Sequence, residues 1–199
     1  MRKIGIIGGT FNPIHNGHIA LAETAYNELS LDEVIFISSG MSYFKKDIVM
    51  PSREDRFNMT NLAVSDVPYF SASDIEMKRE GNSYTFETIL ELKKIYNDAE
   101  FFYIIGADTL FSMESWKNPE IIFENCNIVC AVRDDIDINE LKDKSIDIEN
   151  KYKTHVIILN FNKIQLSSSE IRKMLSNNEN VSHLIPAGVL NYIKENKLY

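Results

Sequence analysis

The residues best suited to chemistry stand together near the start of the chain. The run GGTFNPIHNGH, Gly8 to His18, holds a glycine pair, two imidazoles three positions apart and another glycine. At that spacing His15 and His18 can face one pocket just before and at a helix start. Glycines let backbone approach a ligand closely. Free N–H groups and the positive end of the helix dipole at Gly17 and His18 favour phosphate. Imidazoles near their usual pKa donate to phosphate oxygens or become cationic as phosphate arrives. A transferring phosphoryl group spreads negative charge over its oxygens, and fixed donors aimed there are the main contribution a protein makes. The run matches neither G-x-x-x-x-G-K-[ST] nor G-x-G-x-x-G. Taken singly, each histidine reads as a structural or solvated residue of a tight turn shaped by Asn12 and Pro13. Only the assembled unit points to phosphate.

Two further clusters carry chemical potential. In SSSEIR, Ser167 to Arg172, Ser167 and Glu170 fit a capping box. Arg172, one turn into that helix, can reach phosphate oxygens with a guanidinium fork. In IIGADT, Ile104 to Thr109, Gly106 permits close backbone approach, and Asp108 is an acceptor suited to ribose hydroxyls or adenine amino hydrogens. The plain alternative for Asp108 is N-capping the following helix.

These clusters need elements to hold them. Lys3–Ile7, Glu33–Ser38, Tyr69–Ser73, Phe101–Ile105, Asn127–Val132 and His155–Leu159 read as strands. Helical spacing fills Asn16–Leu29, Ser52–Val64, Ser83–Tyr96 and Ser167–Asn177, and Pro186 starts a closing helix. Strands that are apolar throughout and separated by helices predict an α/β fold, a mostly parallel sheet with helices on both faces. Such sheets bind ligands at the carboxyl ends of their strands. The acidic stretch from Arg133 to Lys153 reads as either a solvated helix or a mobile excursion.

The chain has 199 residues, 44% hydrophobic and 25% charged, with a net charge of -8. It is expected to form a single domain, residues 1–199, with a C-terminal helical part from about 165. The acidic balance argues against nucleic-acid or membrane-surface partners, so an anionic substrate must meet a local positive pocket. No apolar run is long enough for a signal peptide or a span, which makes the cytoplasm the expected compartment. Cys126 and Cys130 are expected as buried free thiols, and no side-chain metal site is expected.

GGTFNPIHNGH resembles the T/H-x-G-H signature of the nucleotidylyltransferase superfamily, and specifically its bacterial nicotinate-nucleotide adenylyltransferases. SYTFET, IIGADT, Ser115-Trp116 and SSSEIR follow in that family's order and spacing. The resemblance implies a Rossmann-like fold and transfer of the adenylyl group of ATP to nicotinate mononucleotide, giving deamido-NAD and pyrophosphate with magnesium. Catalytic roles then fall to His15, His18 and Arg172. ATP binding falls to Gly8, Gly9, Thr10, Phe11, Gly17, Gly106, Asp108 and Ser168 with those three. Ser168 and Arg172 would hold the outgoing pyrophosphate. Lys45, Ser83, Tyr84, Thr85 and Trp116 would form the acceptor side, where Trp116 offers an aromatic face and Thr85 and nearby amides offer donors. On composition alone Trp116 is a core or surface anchor.

The pattern also departs from the family. The usual Pro-Pro-His-Lys loop is replaced by Ser38 to Asp47, where Lys45 or Lys46 could supply a cation, and Asn12 stands for the commoner Asp. The acceptor choice between nicotinate and nicotinamide mononucleotide therefore stays open, as does pantetheine phosphate. A silent nucleotide sensor is the non-enzyme alternative. The sequence leaves oligomeric state open, a homo-oligomer included, and assigns magnesium to the ATP phosphates.

Overall fold

The strands form at β1 (Arg2–Gly9), β2 (Glu33–Ser38), β3 (Phe70–Ser73), β4 (Ala99–Gly106), β5 (Cys126–Ala131) and β6 (Val156–Leu159) of a computed structural model. The structure describes residues 1–40, 50–132, 136–161 and 166–199. The helices are α1 (Asn16–Leu29), α2 (Arg53–Val64), α3 (Thr85–Ile95), α4 (Ala107–Ser112), α5 (Pro119–Asn125), α6 (Ile138–Tyr152), α7 (Ser168–Ser176) and α8 (Ala187–Glu195). A 3-10 turn, Met113–Ser115, follows α4. The six strands make one sheet in the order β3-β2-β1-β4-β5-β6. That order runs outward from β1 in both directions, which is the Rossmann arrangement, and places the topological switch at β1. The pairings of β4 with β1, β5 with β4 and β6 with β5 are parallel, with Ile4 opposite Phe101, Phe101 opposite Cys126 and Ile128 opposite Val156.

Phe101 through Ile105 are buried without a break, and so are Ile128 through Ala131. Successive strand residues point to opposite faces, so unbroken burial means that both faces of this part of the sheet are covered. The α/β, Rossmann-like expectation holds.

The chain divides into two compact units. One comprises residues 1–7, 21–34 and 84–163, and the other residues 8–20, 35–83 and 164–199. In the first, Leu92, Ile122, Phe123, Leu141 and Ile148 accompany the buried strand residues. The Phe123 ring stacks on Tyr152, 4.3 Å between centroids. Cys126 and Cys130 are both free and buried in β5, and burial pushes the Cys126 thiol's pKa up. In the second unit Phe36, Met59, Phe70, Ile171, Val189 and Ile193 are buried. There the Tyr192 hydroxyl of α8 donates to the Asp55 carboxylate and accepts from the Asn58 amide of α2, each at 3.0 Å.

The acidic stretch forms the helix that was one of its two expected readings, and one further helix appears. Most of the acidic stretch is α6, an amphipathic helix with Leu141, Ser145 and Ile148 buried and the Asp137 side chain capping the Asn139 amide at 2.8 Å. Residues 133–135 lie outside the described residues. Helix α5 was not anticipated, because seven residues are too few to show a period; Pro119 at its first turn was the available signal. Among the described residues no helix is long and apolar enough to cross a membrane.

Phe123 is 2% exposed. Phe123→Ala should cost about 3–5 kcal/mol through lost transfer energy and the cavity left behind. Denaturant unfolding checks this, and a loss under about 1 kcal/mol would mean that the site collapses around the gap.

Candidate active site

The chain leaving β1 makes a turn whose own backbone cannot satisfy itself. Phe11 adopts φ 46°, the left-handed region that non-glycine residues rarely occupy, and the Asn12–Pro13 peptide is cis. Side chains from other elements of the second unit take the turn's carbonyls. The Thr10 carbonyl accepts from Arg56 Nη1 at 2.9 Å, that of Asn12 from Arg172 Nη1 at 2.8 Å, and that of Pro13 from Ser168 Oγ at 2.9 Å. Asn12 Oδ1 accepts from the Tyr199 hydroxyl at 2.6 Å. The turn is thus built jointly by β1, α2, α7 and the segment after α8.

The two imidazoles come together as their spacing suggested. The His15 and His18 rings stack with centroids 3.7 Å apart and planes 23° apart. The edge of the stack meets Phe11, whose ring lies 5.1 Å from that of His18 at 83°. His18 Nδ1 accepts from the His15 backbone amide at 3.2 Å, which leaves the ring proton on Nε2 as a donor. His15 is 5% exposed, and burial lowers its pKa to about 4. It therefore works as a neutral imidazole, a correction to the expectation of a ring near its usual pKa. A Cβ on Gly17 would sit 3.0 Å from His15 Nδ1, so the ring would have to give by a few tenths of an ångström. A Cβ on Gly9 would meet the Phe11 ring at 2.7 Å.

The helix start at α1 is less open than expected. The amide of Asn16 donates to the Leu184 carbonyl at 2.9 Å, and that of His18 to the His15 carbonyl at 2.9 Å. Of these three amides only that of Gly17 has no acceptor among the described residues. Imidazole and guanidinium donors, more than the helix start, therefore supply the positive character.

A cleft of about 250 Å³ is lined by Thr10, Phe11, Asn12, His18, Ser168 and Arg172, together with Met50 and Ser169. Phe11, expected on the ATP side, lines this cleft although it is only 2% exposed and its ring packs against those of His18 and Phe36. The Ser167–Glu170 capping box forms as expected. Ser168 and Arg172 do reach the cleft, but each also braces the turn. A larger depression of about 460 Å³, between α7 and the segment after α8, contains none of the expected site residues.

Arg56 escaped the sequence reading. It is 1% exposed, and its guanidinium bridges the Thr10 carbonyl and the Gly40 carbonyl, the latter at 3.1 Å. Burial lowers its pKa from the ordinary value, opposed mainly by nearby Tyr199. Burial also raises the pKa of the Tyr199 phenol, which keeps it a donor. A buried arginine in a helix carries no local signal, and Tyr199 is 187 positions from its partner. Gly40 has no room for a Cβ, which would lie 2.4 Å from Ser83 Oγ and 2.6 Å from the Glu76 carbonyl oxygen. Ser83 Oγ is itself buried without a hydrogen-bond partner among the described residues.

Gly106, Asp108, Tyr84, Thr85 and Trp116 belong to the first unit. Gly106 ends β4 and is the N-cap of α4, so Asp108 lies in the first turn and is not the cap. Tyr84 is the N-cap of α3 and Thr85 its first residue. Lys117 Nζ sits 4.1 Å from the Tyr84 ring centroid, a cation–π contact that the sequence did not suggest. Trp116 follows the 3-10 turn and meets Tyr103 edge to face at 6.3 Å. Glu114 anchors that turn to α6 by accepting from Lys144, Lys151 and the Tyr152 hydroxyl, at 2.5, 2.7 and 3.2 Å. The Lys144 and Lys151 ammonium groups hold its pKa down to about 2. Lys45 and most of the atypical Ser38–Asp47 loop lie outside the described residues.

The neutral His15 has a measurable cost. The folded chain holds it unprotonated to about pH 4 while the unfolded chain takes its proton near 6.5. Stability is thus fully present above pH 6.5 and falls as pH drops toward 4, by roughly 3 kcal/mol from this group. His15→Gln should flatten the pH dependence of denaturant unfolding across that window, and an unchanged slope would remove the assignment.

Comparison with known proteins agrees with the geometry. A model described as cytidylyltransferase-like matches residues 6–174. A probable nicotinate-nucleotide adenylyltransferase of Lachnoclostridium phytofermentans is 43% identical over 199 residues, 100% of both chains. One of the same name from Dehalococcoides mccartyi is 42% identical, over 99% of this chain and 97% of its own. The Plasmodium falciparum nicotinic acid mononucleotide adenylyltransferase complexed with NaAD has a TM-score of 0.79 at 20% identity, covering 100% of this chain and 98% of its own. That last likeness speaks to the fold, while the first three speak to descent. On both grounds the chain belongs to the cytidylyltransferase-like family and, within it, to the nicotinate-nucleotide adenylyltransferases.

Proposed function

We propose that this protein joins ATP and nicotinate mononucleotide to give deamido-NAD and pyrophosphate, a step of NAD biosynthesis. The observation that carries this reading is His18, stacked on the buried His15 and lining one cleft with Ser168 and Arg172, in a chain that matches adenylyltransferases end to end.

The acceptor's phosphate is already ionised near neutral pH, so an oxygen of it can attack the α-phosphorus of ATP directly. One P–O bond forms, the bond to the β-phosphate oxygen breaks, and pyrophosphate leaves with the electron pair. Neither a strong base nor a covalent intermediate is needed. Catalysis comes from positioning and from donors aimed at the developing charge. His18 supplies Nε2–H, His15 a neutral ring stacked behind it, and Arg172 the donors not engaged with Asn12 and Ser169.

Magnesium would neutralise charge on the triphosphate. Among the described residues no three His, Cys, Asp or Glu side chains converge as a ligand set. The cation would be held by phosphate oxygens and water. In this reading Asp108 and Gly106 take adenosine, and Ser83, Tyr84, Thr85, Trp116 and Lys45 take the acceptor. The whole chain acts as one catalytic domain in the cytoplasm, where buried free thiols such as Cys126 and Cys130 are ordinary. A homo-oligomer is compatible with it and not required.

His18→Ala should lower kcat at least ~100-fold, the usual effect of deleting one preorganised donor, with a smaller change in KM for ATP. Near-normal turnover would end the histidine's role. On the acceptor side, pyrophosphate release should be fastest with nicotinate mononucleotide, slower with its amide and absent with pantetheine phosphate. Trp116→Ala should raise KM for the pyridine substrate by ~10-fold or more, as expected for losing one stacked aromatic. Preferred use of pantetheine phosphate, or ATP binding with no release at all, would overturn the reading.

A further inference from the structure

Arg56 poses a physical question. Among the described residues, a guanidinium 1% exposed makes its hydrogen bonds to two carbonyls, and its Nε has no partner. Burying a charge costs several kcal/mol, here offset in part by the attraction of nearby Glu76, and a neutral amide or a water could bridge two carbonyls at less expense. A fork gripping Thr10 and Gly40 at once does what those cannot, because it fixes two chain segments at a set angle. The Thr10–Phe11 peptide is planar and trans, so turning its carbonyl toward Arg56 turns the Phe11 N–H the opposite way. Phe11, held in its left-handed conformation, in turn presents its ring to the edge of His18. From the other end of the turn, Tyr199 fixes the Asn12 side chain at 2.6 Å.

We propose that Arg56 and Tyr199 are positioning residues for adenylyl transfer, pinning the Thr10–Asn12 turn from its buried side so that Phe11 holds His18 at the angle transfer requires. The proposal rests on the adenylyl-transfer reading. Neither side chain touches the reacting atoms; both act through His18. The buried positive charge also lies under the turn that lines the cleft, so it adds to the local potential in a chain of net charge -8.

The test is a pair of double-mutant cycles read by pyrophosphate release under saturating ATP and nicotinate mononucleotide. R56K keeps the charge and removes the fork; Y199F removes one oxygen. R56K should lower kcat at least ~10-fold and Y199F ~3-fold, with KM for ATP within ~2-fold of the parent, as expected when geometry and not affinity is lost. In a His18→Ala background both effects should shrink below ~2-fold, because the residue they position is gone. Losses of undiminished size in that background, or both variants turning over within ~2-fold of the parent, overturn the proposal. Should R56K fail to fold, Y199F decides by the same two criteria. The parent's own turnover tests the underlying reading separately: a parent that releases pyrophosphate while the cycles are additive refutes the pinning alone.

Discussion

A backbone turn that cannot bond to itself must find its partners elsewhere, and most of this molecule's functional geometry follows from how that is arranged. The segment Thr10–Pro13 sends three carbonyls to three side chains, two of them guanidinium groups. An unpaired buried carbonyl is costly, so these contacts are obligatory and not decorative. They bring α2 and α7 to the end of β1, where the strand order reverses. Ser168 and Arg172, which line the cleft and are proposed to hold phosphate, are the same residues that hold the turn in shape. Building the site and completing the fold of the second unit are one process.

This sharing reconciles an acidic protein with anionic substrates. The surface carries excess negative charge, while Arg56, Arg172 and the stacked imidazoles concentrate donors around one turn. Burial keeps His15 neutral, which limits repulsion between the stacked rings. The cost is taken as sensitivity to acid.

Much of this was legible in the sequence, for identifiable reasons. Strands β4 and β5 were recognisable because a sheet covered on both faces demands unbroken apolar runs. The pairing of His15 with His18 was readable because spacing across a turn and a helix start limits where two side chains can go. The Ser167–Glu170 box is a local signature, and locality is what sequence reading handles best. Arg56 and Tyr199 were invisible for the opposite reason, since their roles exist only through partners 46 and 187 positions away. Asp108 was misjudged as a candidate cap because Gly106 ends the strand and starts the helix with no residue between. The protonation of His15 depends on packing density, which spacing does not report. Lys117 on Tyr84 was likewise hidden, being a contact between separate elements.

The two cysteines have a practical corollary. Both are sealed within β5, and the raised thiol pKa of Cys126 leaves little thiolate to react. Maleimides and oxidants should therefore pass the folded chain by, so a single cysteine installed on the surface could carry a fluorophore or spin label without first stripping out the native pair.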